Sequence, residues 1–85
     1  MNRLSQKKGE IDISREHIFE ALEETRKKIE GLKGFHIPVV LNTIEEYEKA
    51  EVDGHFIEQQ KLQLQKLYDM IEDLEHRAQR LIQRL

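Results

Sequence analysis

From Ile57 to Leu85 apolar residues return at alternating steps of three and four. With Ile57 at heptad position a, that position reads Ile57, Leu64, Ile71, Ala78, Leu85, and position d reads Gln60, Leu67, Leu74, Leu81. Eight of these nine positions are apolar. A 3.5-residue repeat held over four heptads draws one continuous apolar seam along a helix, and such a seam packs against another helix. Phe56, Tyr68, Met70 and Ile82 flank the seam and widen it, as in a bundle. The predicted helix covers about 55–84, after a break at Asp53-Gly54. Asp73 and Arg77 stand four residues apart, and Arg77, Arg80 and Arg84 occupy the last turns, where the helix dipole favours cations.

Two shorter helices are expected upstream. Ser14 suits an N-cap, Ile13 and Ile18 have the spacing of a hydrophobic staple, and Glu16 falls in the first turn. The apolar stripe is Ile18, Phe19, Leu22, Ile29, Leu32, interrupted by Thr25 and Arg26. Glu23–Lys27 and Glu24–Lys28 are i,i+4 pairs in the favourable order. Lys33 followed by Gly34 reads as a helix end. Phe35 to Ile37 then form a connection, and Pro38 opens a second helix with the stripe Ile37, Val40, Leu41, Ile44, Tyr47. The rival arrangement keeps 37–41 extended and starts the helix at Thr43, with Glu46 completing a capping box. The expected fold is all-α: a flexible polar tail at 1–12, then a single helical domain at 13–85. Its helices, about 14–33, 38–52 and 55–84, form a three-helix up-down-up chain with a long coiled-coil-like C-terminal helix.

Helix lengths of about 30, 20 and 45 Å follow from a 1.5 Å rise per residue. Two short helices folded back on the third leave its end overhanging, with Leu74, Ala78, Leu81, Ile82 and Leu85 on it. Leaving such a stripe in water forfeits roughly 1.5–3 kcal/mol per large side chain. A chain of 85 residues without cysteine also has no disulfide to supplement its small core. Self-association into a homodimer or higher oligomer is therefore expected, and a second protein is an expected partner. The interface is assigned to Leu74, Arg77, Ala78, Arg80, Leu81, Ile82, Arg84 and Leu85, the arginines setting partner choice by charge. Ile57, Leu64, Leu67 and Ile71 are assigned to the chain's own core.

Chemistry leaves few marks. His17, His36, His55 and His76 form no metal-ligand pattern, and Asp73-x-x-His76 lacks the second copy that a di-metal bundle site needs. The glutamates alternate with lysines opposite the apolar stripes, the arrangement of a solvated face and not of a buried general acid. No glycine-rich loop is present for phosphate. No catalytic residue, metal or cofactor is assigned, and the chain is read as not an enzyme. A net charge of −3 argues against general binding to nucleic acid or anionic membrane. No apolar run is long enough to span a bilayer, and Met1 to Glu10 lack the apolar segment of a secretory signal, so a cytoplasmic setting is expected. The function indicated is protein–protein interaction: a small regulator, adaptor or stoichiometric inhibitor working through the C-terminal helix. The alternatives are a nucleic-acid or nucleotide binder using the arginine cluster, and a purely structural oligomer.

Overall fold

The computed structural model describes residues 2–85, with side chains from residue 14 onward. All elements among the described residues are helical. They are α1 (Asn2–Gly31), a π-helical turn (Leu32–His36), α2 (Ile37–Lys49) and α3 (Gly54–Gln83). The first three are one unbroken rod. Gly31, His36 and Ile37, at its two junctions, keep right-handed helical backbone angles. The expected connection at Phe35–Ile37 does not exist, and the fold is a hairpin of two helical arms instead of three helices running up, down and up.

The reason lies in the spacing of the covered residues. Along the rod the seam runs through Ile18, Leu22, Thr25, Ile29 and Leu32, in steps of four and three; then comes one step of five to Ile37; then Val40, Ile44 and Tyr47, with the half-covered Ala21, Gly31 and Thr43 beside it. A step of five would turn an α-helix past its seam. A π turn closes each hydrogen bond one residue further back and so absorbs the extra residue. The Ile37 N–H donates to the Leu32 carbonyl, a step of five, and returns Ile37 to the same side as Leu32. Pro38 fits the same place. It has no N–H and its ring clashes with the carbonyl four residues back in a regular helix, but here the bonding register is already shifted. Lys33 and Gly34, expected to stop the first helix, lie inside this turn. The extended alternative for 37–41 also fails: Thr43 is within α2 and its hydroxyl donates to the Val39 carbonyl at 2.9 Å.

Ser14 lies inside α1 and caps no helix start. The tail expected at 1–12, and Ile13 of the expected staple, lie outside the residues described with side chains. Thr25, read as an interruption, is in the seam: it is 3% exposed, and its hydroxyl is satisfied by the Ala21 carbonyl at 2.7 Å.

The chain reverses over Ala50–Asp53. Glu51 takes a left-handed backbone, φ 54°. Its N–H donates to the Glu48 carbonyl, and the Val52 N–H to that of Tyr47, the paired bonds of a Schellman ending. Asp53 then caps α3, its carboxylate accepting from the His55 N–H at 3.2 Å. Val52 and Ile57, both half-buried, hold the positions of a hydrophobic staple.

From this turn α3 runs back along the rod. Leu32 and Ile37 pack with Leu67 and Ile71, and Ile29, Val40, Leu64 and Leu74 close around them. The Cα trace is 15 × 13 Å in cross-section, as for two helices side by side. On α3 the covered residues are the heptad a and d positions from Ile57 to Leu81, Gln60 included.

Candidate interaction surface

Two helices cannot surround a core. No large side chain among the described residues is wholly buried, and large apolar groups stand half or more exposed: Phe35 at 64%, Phe19 at 56%, Ile82 at 53%. Phe35, Val39 and Leu62 stand apart, but most of the others are grouped. An antiparallel helix pair has two long flanks, one on either side of its seam. Heptad position e borders one flank on both helices and position g borders the other.

The e flank carries Phe19 and Leu41 from the rod and Tyr68 and Ile82 from α3, all exposed. At its open end, away from the turn, lies a groove of about 470 Å³. Phe19, Leu22, Ile29, Ala78 and Ile82 supply its apolar lining, and Glu23, Arg26 and Glu30 its charged lining. Arg26 is joined to Glu23 at 3.9 Å, and Lys33 reaches across the helices to Glu75 at 3.9 Å. All four side chains are more than half exposed, so these pairs add little to stability.

The g flank carries Phe56 and Met70. Its middle holds a shallow groove of about 530 Å³, lined by Lys28, Gly31, Leu32, His36, Met70, Asp73 and Leu74. Further toward the open end, Arg77, Arg80 and Arg84 surround Leu81 in a second hollow of about 530 Å³. None of the three arginines joins an ion pair among the described residues, and Asp73–Arg77, Glu23–Lys27 and Glu24–Lys28 are likewise not paired there. The remaining ion pair is Lys49–Glu45 at 3.1 Å.

The residues assigned to an interface from sequence thus divide. Leu74, Ala78 and Leu81 are half-buried in the seam. The expected overhang is covered, because the fused rod is long enough to run beside α3 as far as Phe19 and Leu22. Ile82 and Leu85, 53% and 45% exposed, remain open, as do Arg77, Arg80 and Arg84. What sequence reasoning left out is the share of the rod: Phe19, Leu22, Arg26 and Ile29 build one side of the groove on Ile82. Phe19, counted in the buried stripe from its spacing, stands 56% exposed instead.

Among the described residues no three histidine, aspartate or glutamate side chains gather where a metal could be held. His17, His36, His55 and His76 are exposed, and His55 lies 3.3 Å from the Gln59 amide nitrogen. No described helix is long and apolar enough to cross a membrane. Comparison with family models, curated proteins and solved structures finds no match.

Proposed function

We propose that this chain is a protein–protein interaction module, a small regulator, adaptor or stoichiometric inhibitor. It acts by lending a two-helix hairpin to a larger helical bundle. The observation that carries this is the pair of open flanks. Each lies beside the seam for the length of α3, each bears aromatic or large aliphatic side chains at heptad positions, and another helix laid along either one would cover them. The apolar anchors of the e flank are Phe19 and Ile82, with Leu85 at the end of the seam, and Arg77, Arg80 and Arg84 select the partner by charge. The action needs neither catalysis nor cofactor, and a cytoplasmic setting belongs to the same reading.

The test uses the full chain, tagged, as bait in an extract of its source cells, with and without nuclease. A protein recovered near one-to-one after nuclease, and lost with the double variant Phe19→Asp, Ile82→Asp, is the expected result. Circular dichroism of that variant must still show the helical hairpin, since both positions lie outside the seam. A second reading, nucleic-acid or nucleotide binding, is favoured by one observation: three arginines with no ion-pair partner among the described residues share one hollow. Capture that vanishes with nuclease, and with Arg77→Glu plus Arg80→Glu, would replace the first reading with the second.

A further inference from the structure

The two flanks differ in sign. Toward the open end, heptad positions b and e on the groove flank hold Glu23, Glu30, Glu72 and Glu75. The cations there, Arg26 and Lys33, are already engaged with Glu23 and Glu75. Positions c and g on the other flank hold Lys28, Arg77, Arg80 and Arg84 against Glu24 and Asp73. The acidic rim and the arginine hollow lie at the same level of the hairpin, since Ala78 and Ile82 line the groove that Glu23 and Glu30 border, while Arg77, Arg80 and Arg84 surround Leu81. Both flanks also carry exposed apolar anchors, Phe19, Tyr68 and Ile82 on one, Phe56 and Met70 on the other.

From this opposition we infer that the partner of each flank is the unlike flank of a second copy of this chain. The inference rests on the interaction-module reading above and names its partner. Two like flanks brought together about a two-fold axis along the hairpin set glutamate on glutamate or arginine on arginine. About an axis across it, the charged open end meets a turn end with no opposite excess: Glu45, Glu48 and Glu58 with Lys61 on the acidic flank, Glu46 with Lys66 on the basic one. Unlike flanks set arginine on glutamate over an apolar strip, and each contact leaves one free flank at either end. The interface is heterologous, so assembly continues beyond a dimer into a ring or an open stack. Its size is adequate. A strip about 45 Å long, the length of α3, and 15 Å wide covers about 700 Å² per partner, near the ~800 Å² of a standard stable interface.

The experiment is sedimentation velocity of the full chain over a concentration series, with two double variants. Phe19→Gln with Ile82→Gln removes the anchors of the acidic flank, and Phe56→Gln with Met70→Gln those of the basic one, neither adding charge. All four positions are exposed, and circular dichroism confirms that each variant keeps the hairpin. Wild type is expected to pass beyond dimer. Each variant alone is expected to stay monomeric, and an equimolar mixture to give a heterodimer and nothing larger, because only one good flank of each kind remains. Raising salt from low to high is expected to weaken wild-type assembly about tenfold or more, since the opposed charges are exposed. A variant that still dimerises alone, or a mixture that stays monomeric, overturns the inference. So does a wild type that is monomeric at the highest concentration reached. In that last case a foreign protein captured by the bait leaves the module reading standing; if nothing is captured either, both fail.

Discussion

The middle of the seam and its open end carry the same heptad pattern and meet different fates. Leu67 and Ile71, at the middle, are each 6% exposed, and Leu32 and Ile37 opposite them are nearly as well covered. Fourteen residues on from Ile71, at the same heptad position, Leu85 is 45% exposed. The difference is one of neighbours, not of residue type. At the middle the rod supplies Ile29, Leu32, Ile37 and Val40 to the cluster that holds Leu67 and Ile71. At the end the groove on Phe19 and Ile82 is left open. An apolar pattern fixes which side of a helix wants to leave water; it does not fix how many helices arrive to help.

Three measurements bear on that contrast. The largest effect is expected from one alanine inserted after Gly34. The π turn absorbs one residue beyond the heptad, and a second would rotate Ile37, Val40, Ile44 and Tyr47 off the seam. At ~1.5 kcal/mol or more for each of the buried Ile37 and Ile44 and about half that for the half-buried Val40 and Tyr47, the loss is about 4–5 kcal/mol or greater, and urea unfolding should show the turn half of the hairpin lost. Retained stability would mean that the π turn is not what keeps the rod in register.

A smaller effect separates the two regions directly. Ile71→Ala should cost about 3 kcal/mol by transfer loss plus an unfilled cavity. Leu85→Ala should cost less than about 0.5 kcal/mol, as at an ordinary exposed site. Denaturation midpoints of the two variants side by side give the ratio. Comparable losses would mean that the open end is covered, by another copy or by the hairpin itself, in solution.

The smallest change concerns the turn that makes the hairpin possible. Glu51 holds a left-handed backbone that costs a non-glycine residue about 1–2 kcal/mol. Glu51→Gly relieves it, less the extra freedom glycine has when unfolded, so a gain of about 1 kcal/mol in thermal unfolding is expected. A destabilised variant would show that the Glu51 side chain contributes something its exposure does not suggest.

Much of this was legible in the chain. The heptad assignment from Ile57 onward names every covered position of α3 up to Leu81, and the Pro38 start of α2 falls in its first turn. Most stripe residues on either side of the π turn were likewise identified from their spacing, though Phe19 and Leu41, counted among them, are exposed, and Thr25, read as an interruption, is buried. What misled was the step between Leu32 and Ile37. Lys33-Gly34 followed by Pro38 carries the marks of a helix stop and start, and local signals alone cannot tell a loop from a π turn. The choice depends on whether Ile37 can regain the seam, and that depends on where Leu67 and Ile71 lie.

The sequence by itself determined an all-helical chain, the seam of α3 and both halves of the matching stripe, because helical periodicity is a property of consecutive residues. Tertiary structure decided that those halves form one rod. Covering Ile37 and Leu32 together on a single α3 outweighs what the glycine and the proline prefer locally. It decided as well which apolar residues remain open, because that depends on how many helices meet at the seam and which flanks they leave bare, and no single segment contains that information.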